Sequence, residues 1–401
     1  MNFFVSIPKK DMFLGMKVVL KHINVVSPQL LLGRNFLISL LTFFIFLHPI
    51  YSQTKPEPLK SKEITKTLKE IVNSGKAPGM IAAISSSEGV IAIGSAGERK
   101  AGSGIAFTNN DVVHLGSCTK AMTATMIATL VSEGKLSWDT KLIEAIPGLK
   151  NKIHADYHKI TLWQLLTHRA GIPKNPTNEG AFSSKEIRKG RLAIIEDNFK
   201  SPSTYEINKF NYSNFGYMIA ACMAEQVTGL SWEVLMKQRL FDPLGMTSAG
   251  FGNPNKNKSI DQPWGHHKNS SKWWASESYY SEAGRPAGDI YCSIADWAKF
   301  ISLQLSIENP ILERKYLDKL IEPPEGFYAG GWGVAEHNWA KGITLSHTGT
   351  NEIWYASLIV APRLDRAYVV VTNSCDFSVT ENICSEMIRK LIVMDLDTNQ
   401  K

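Results

Sequence analysis

Between residues 60 and 74 the apolar side chains Ile64, Leu68, Ile71 and Val72 recur at the i, i+4, i+7, i+8 spacing of one helix face. Gly75 follows as a natural C-terminal stop. This predicts a helix lying on a sheet. The run GMIAAISSSEGVIAIGSAGER, residues 79–99, predicts two short strands around a Ser/Gly turn, and GITLSHTGT, YASLIVAP and AYVVVTNS predict three more near the other end of the chain. Over residues 381–394, Ile383, Met387, Ile388, Leu391 and Ile392 share one face of a closing helix. Sheet elements therefore sit at both ends, with a helical and loop-rich middle between them. The expected fold class is α/β (α+β): α/β parts at about 53–129 and 288–401, and a mainly helical insertion at about 130–287. The chain shows no internal repeat and no low-complexity segment.

One predicted helix breaks the amphipathic rule. After Lys120, residues Ala121, Met122, Ala124, Met126, Ile127, Ala128 and Leu130 are apolar nearly all round, and Gly134 ends the pattern. Such a helix is buried, and a lysine at its start asks for an explanation.

The 401 residues, 44% of them hydrophobic, can fill a sizeable core. Residues 1–52 read as an address: basic residues, including Lys17, Lys21 and Arg34, precede the apolar run FLISLLTFFIFL, whose length suits a signal-peptide core better than a spanning helix. Ser52 is a candidate cleavage point and an uncleaved anchor is the alternative, so the expected location is exported, periplasmic or secreted. The formal charge is +7, but those residues carry five bases and one acid, which leaves +3 on the rest. With no basic run there, a nucleic-acid partner is set aside. Cys118, Cys222, Cys292, Cys375 and Cys384 are an odd count without paired short spacing, which argues against a zinc cage or a disulfide framework, although Cys375 and Cys384 can pair in an oxidising compartment.

Ser-x-x-Lys occurs four times, starting at Ser6, Ser52, Ser117 and Ser132. The first two lie in or at the end of the presequence and the last sits at the Gly134 helix end. Ser117 and Lys120 remain, three apart and able to share a helix face. Burial disfavours an ammonium, so Lys120 can accept the proton leaving Ser117, and the helix N-terminus offers N–H groups to an oxyanion. Taken alone, the same tetrapeptide reads equally as a helix cap and a lysine that reaches the surface. Tyr212-x-Asn214 precedes another apolar helix: a phenol there can relay a proton and the amide can orient Lys120 or bind a carbonyl, or both can be capping and packing. His347, Thr348 and Gly349 interrupt a strand pattern. A glycine there marks a close backbone approach, with the Thr350 N–H as a second oxyanion donor, or simply a turn or bulge.

With SCTK, YSN and HTG in this order, the sequence resembles the serine β-lactamase and penicillin-binding protein superfamily, especially class C β-lactamases and the DD-carboxypeptidase and esterase group beside them. The likeness continues through GSAGERK, LWQLLTHRAGIP, LFDPLGMTSAGFG and PAGDIYCSIADWAKF. It implies an antiparallel sheet flanked by terminal helices, Ser117 as the acylated nucleophile, Lys120 and Tyr212 as the proton-handling pair, and Asn214, His347, Thr348, Gly349 and Thr350 on the substrate side, without metal or organic cofactor. The expected function is an exported serine hydrolase acting on an ester, an amide or a D-Ala peptide. A β-lactamase or DD-carboxypeptidase is the alternative, and a non-catalytic penicillin- or peptidoglycan-binding sensor is the rival of another class.

Two departures bear on the substrate. The Glu-x-x-x-Asn box of class A enzymes is absent, and His347 stands where Lys is commoner. Between Pro324 and Ser346 only Lys341 is cationic, so a carboxylate would have to be read by Arg285 or a protonated His347. This favours esters. His154 and His158, at i, i+4, lack a carboxylate partner for a metal. His266 and His267, with Trp264, Trp273 and Trp274, are expected in a surface or cleft-rim loop.

Overall fold

The computed structural model describes residues 58–177, 186–255, 258–270, 272–277 and 281–398, all within one compact unit. The segment read as a presequence lies outside the described residues. Six strands form a wholly antiparallel sheet: β1 (Gly79–Ser86), β2 (Gly89–Gly97), β3 (Gly333–His337), β4 (Gly342–Thr350), β5 (Tyr355–Ala361) and β6 (Arg366–Thr372). Their order is β2-β1-β6-β5-β4-β3. The two ends of the chain meet at its centre, with Met80 opposite Thr372 and Ala82 opposite Val370. Five of these strands are the short apolar runs picked out in the sequence. The sixth, β3, is an edge strand whose residues GVAEH are partly or largely exposed, so it carries little apolar signal and is held by its pairing with β4.

Alternation then divides the sheet into two faces. Met80, Ala82 and Ile84 of β1, with Tyr368 and Val370 of β6, pack under α1 (Pro58–Asn73) and α4 (Phe377–Thr398), which contribute Ile64, Leu68, Ile383, Met387 and Leu391. Gly94 brings α1 close, since a Cβ there would lie 2.6 Å from Thr65 Oγ1. Ile81, Ala83, Val369 and Val371 point the other way, into the larger core shared with the central helices. There α2 (Thr119–Ser132) is buried at every residue from Thr119 to Leu130, as its all-round apolar sequence predicts. It packs against α3 (Asn214–Thr228), and the short turn that leads into it abuts β4.

Two expectations need correcting. His267 and Trp274 are exposed, in keeping with a surface position, but Gly265–Asn269 and Lys272–Ser276 pair as strands of a hairpin, and His266 is fully buried. His266 Nδ1 meets Asn373 O at 2.8 Å and Nε2 accepts from Ala101 N–H at 3.0 Å, so both ring nitrogens are satisfied internally and a polar residue is tolerated inside. His347, Thr348 and Gly349 do not interrupt their strand either. They continue β4 in register, opposite Leu358, Ser357 and Ala356.

The middle of the chain holds the helices Leu162–Leu166, Ile187–Asn198 and Trp232–Met236, together with the hairpin. It also holds the strand Gly250–Phe251, which joins Val112–His114 and Ile290–Ser293 in a small second sheet. All five cysteines are buried with free thiols. Among the described residues no helix is long and apolar enough to cross a membrane.

Candidate active site

Ser117 lies in a single 3-10 turn, Gly116–Cys118, at the mouth of α2. It caps nothing: no side chain closes the N-terminus of this turn or of α2. Lys120 does not reach the surface either, being fully buried. Its Nζ lies 3.1 Å from Ser117 Oγ, 2.8 Å from Asn214 Oδ1 and 2.7 Å from Ala287 O. The last two are acceptors only. A neutral amine has two protons and one lone pair, and with both protons directed to Asn214 and Ala287 the lone pair remains for the Ser117 hydroxyl. Burial, reinforced by the nearby charge of Lys174, holds the Lys120 amine well below the usual lysine range.

The Tyr-x-Asn pair is freed by the residue between it. Ser213 caps α3 by accepting from Gly216 N–H at 2.9 Å, so neither neighbour is needed for capping. Asn214 reaches Lys120, and Tyr212 stands beside it, its ring centroid 4.8 Å from Lys120 Nζ. Burial raises the Tyr212 hydroxyl well above the phenol value, with the neighbouring Ser117 opposing, so it rests protonated.

On the opposite wall β4 meets the nucleophile turn backbone to backbone. A Cβ on Gly349 would lie 2.6 Å from Ser117 N and 2.9 Å from Cys118 N, and one on Gly116, whose φ is +51°, would collide with Thr350. The backbone nitrogens of Ser117 and Thr350 thus both lie at the contact between the turn and β4. Cys118 Sγ turns away toward His347 O, and burial pushes its thiol up to about 12.

His347 is buried with both ring nitrogens occupied, Nδ1 at 2.6 Å from Thr348 O and Nε2 at 3.0 Å from Tyr328 Oη. Burial lowers its pKa to about 3. It is therefore not the cation that a carboxylate would need. Nor is Arg285, whose guanidinium bonds Asp289 Oδ2 at 3.1 Å and Glu282 Oε1 at 2.9 Å. Lys341 sits on the β3–β4 turn, roughly 20 Å of extended strand from His347. The cation that sequence reasoning missed is Lys174: it is exposed, its carbonyl accepts from Asn214 N–H at 2.8 Å, and its charge is felt at Lys120.

His168 was also missed as a site residue. It sits in a left-handed conformation, φ +59°, with its ring centroid 4.3 Å from that of Tyr212 and 4.6 Å from that of Tyr328. Its Nδ1 accepts from Ser213 N–H at 3.0 Å, which ties the Tyr-Ser-Asn turn to the preceding loop. Burial keeps it well below the usual histidine range. His154 caps a 3-10 turn by accepting from Asp156 N–H, and contrary to expectation a carboxylate does lie beside it, Asp156 Oδ2 at 3.3 Å from Nδ1. Among the described residues no group of His, Cys, Asp or Glu side chains converges to hold a metal.

A six-stranded antiparallel sheet backed by both terminal helices, with Ser-x-x-Lys, Tyr-x-Asn and His-Thr-Gly meeting at the end of β4, defines the serine β-lactamase and penicillin-binding protein class. The chain belongs to the Beta-lactamase family, whose sequence model matches residues 64–382. Protein flp of Staphylococcus aureus (strain N315) is 27% identical over 269 residues, 65% of this chain and 52% of that protein. The putative penicillin-binding protein PbpX of Bacillus subtilis (strain 168) is 29% identical over 241 residues, 58% of this chain and 57% of its own. The chain thus spans little more than half the length of these two relatives. Among solved structures, the octameric penicillin-binding protein homologue from Pyrococcus abyssi superposes with a TM-score of 0.69 at 22% identity, covering 84% of this chain and 77% of that one. The class C β-lactamase from Rhodobacter sphaeroides gives 0.67 at 15% identity, over 83% and 100%. At those identities the likeness is one of fold.

Proposed function

We propose that this protein is an exported hydrolase that works through an acyl-enzyme on Ser117, and that its preferred substrates are esters with an uncharged acyl group. The observation that carries the mechanism is the set of contacts around Lys120, two acceptors at 2.8 and 2.7 Å and Ser117 Oγ at 3.1 Å, which leaves a neutral amine its lone pair for the serine. Ser117 Oγ attacks the ester carbonyl as its proton passes to Lys120. The oxyanion is received by the N–H groups of Ser117 and Thr350. Collapse of the tetrahedral intermediate breaks the bond to the leaving alkoxide, which takes the Tyr212 proton, and Tyr212 is reprotonated from Lys120. Water then attacks the acyl group, giving its proton back along the same pair, and the acid leaves as Ser117 regains its hydrogen.

The substrate reading rests on what the site spends its charges on. His347 and Arg285 are both committed inside the fold, so an ester loses nothing by lacking an anion. Lys174 at the rim supports the second reading, a carboxylate-bearing β-lactam or D-Ala peptide held from the α3 side of the cleft. Comparing kcat/KM for p-nitrophenyl butyrate, nitrocefin and a diacyl D-Ala-D-Ala peptide, with wild type and Lys174→Ala, tests it. Ester preference in both proteins supports the first reading, and a peptide preference that Lys174→Ala removes supports the second. A burst of p-nitrophenol without turnover would instead indicate a binding protein that acylates and stops.

A further inference from the structure

A segment some 170 residues downstream clasps the nucleophile turn. Leu115 N–H donates to Ile290 O at 2.9 Å, Ile290 N–H to Thr119 Oγ1 at 3.2 Å, and Thr123 Oγ1 to Pro286 O at 2.8 Å, beside the Lys120 bond to Ala287 O at 2.7 Å. One further link joins ionisable side chains that acyl transfer does not use: His114 Nε2 lies 3.3 Å from Asp289 Oδ1, and the two residues are 1% and 2% exposed. Gly116 N–H donates to His114 Nδ1 at 3.2 Å, so Nδ1 carries the lone pair and the ring proton on Nε2 points at Asp289. The other Asp289 oxygen takes Arg285 Nε at 3.1 Å, which fixes the carboxylate's orientation.

We propose that Asp289 and His114 form a positioning dyad that aims the Ser117 and Thr350 amides at the oxyanion by fixing the Gly116 peptide. Gly116 is where the nucleophile turn touches β4. Its positive φ and the collision a Cβ would make with Thr350 mean that its peptide orientation sets the geometry of both amides. The Gly116 N–H is buried, and the His114 ring is what satisfies it. Asp289 holds that ring in the tautomer that can accept. The inference rests on the acyl-transfer reading of Ser117, and the test separates the two.

Three variants, Asp289→Asn, Asp289→Ala and His114→Asn, are compared with wild type and Ser117→Ala. The readouts are kcat and KM on p-nitrophenyl butyrate, melting temperature, and affinity for a phenylboronic acid that forms a tetrahedral adduct on the serine. Asp289→Ala and His114→Asn are expected to lose ~10- to 100-fold in kcat with KM little changed, and to lose boronic acid affinity in the same proportion, since oxyanion geometry is felt only in the tetrahedral state. Asp289→Asn, which keeps an acceptor for Nε2–H, should stay within about threefold of wild type. Wild-type kcat in His114→Asn, or boronic acid affinity unchanged while only the melting temperature falls, would overturn the dyad. Activity or boronic acid binding retained in Ser117→Ala would overturn the underlying mechanism instead. Should Asp289→Ala not fold, the contrast between Asp289→Asn and His114→Asn decides.

Discussion

Lys120 Nζ lies 3.1 Å from Ser117 Oγ with its two other contacts, Asn214 Oδ1 and Ala287 O, both unable to donate. An ammonium in that position would have a proton for each of the three and no basicity left. A neutral amine has a lone pair for the serine.

Lys120→Arg is therefore expected to fail as badly as Lys120→Ala, both losing at least ~10³-fold in kcat, because a guanidinium does not deprotonate in a protein. Steady-state hydrolysis of p-nitrophenyl butyrate at pH 7 to 9 checks this. An active Arg variant would mean that the site needs a charge there and not a base.

Asn214→Asp places a carboxylate 2.8 Å from the same amine and favours its protonated form. The acidic limb of the kcat/KM profile should move to higher pH, with activity at neutral pH reduced ~10- to 100-fold and partly recovered toward pH 10. A profile that keeps its wild-type shape would exclude Lys120 as the titrating base.

Gly349→Ala tests the contact between β4 and the nucleophile turn. The added methyl would meet Ser117 N at 2.6 Å, so the strand and the turn must part. A kcat loss of ~10² or more is expected if the oxyanion amides separate. Circular dichroism and active-site titration distinguish this from a loss of folded protein.

The pH dependence of stability carries its own sign. Burial depresses His347 to about 3 and His266 to about 4, while in the unfolded chain each titrates near 6.5. Between these limits the unfolded state binds more protons, so each contributes stability that is complete above the unfolded value and is lost as pH falls toward the folded one. Each histidine should withdraw ~2 kcal/mol between pH 6.5 and 4.5. Urea midpoints measured across that range check it, and His266→Gln should flatten the curve while lowering its plateau. Because His347 stays neutral through this window, carboxylate substrates should gain nothing from it as pH falls from 8 to 5.

How much of this was legible in the sequence follows from which forces are local. Short, nearly continuous apolar runs such as MIAAI and SLIV mark strands buried on both faces, and the all-round apolar face of α2 marks a buried helix, because both depend on near neighbours alone. The site is only half legible. Ser117, Lys120, Tyr212 and Asn214 carry their chemistry in short spacings, but one of the two acceptors that orient the Lys120 amine is Ala287 O, a backbone atom 167 residues away that no side-chain pattern announces. His168 and Tyr328 hold Tyr212 and His347 through ring contacts and one hydrogen bond between distant loops, so their neighbours give no hint. His266 was misplaced for a related reason. A histidine in a polar run looks like surface until Asn373 O and Ala101 N–H are seen on either side of its ring.

The central claim is that Ser117 carries the acyl group and Lys120 takes its proton. Intact-mass spectrometry of protein quenched in acid during turnover of p-nitrophenyl butyrate, followed by peptide mapping, tests it most directly. The account predicts a mass gain of one butyryl group on the peptide that holds Ser117 in the wild type. It predicts a stronger adduct signal when deacylation is slowed by Tyr212→Phe, and none in Ser117→Ala or Lys120→Ala. An adduct elsewhere, or undiminished hydrolysis by Ser117→Ala with no adduct in any protein, would contradict it.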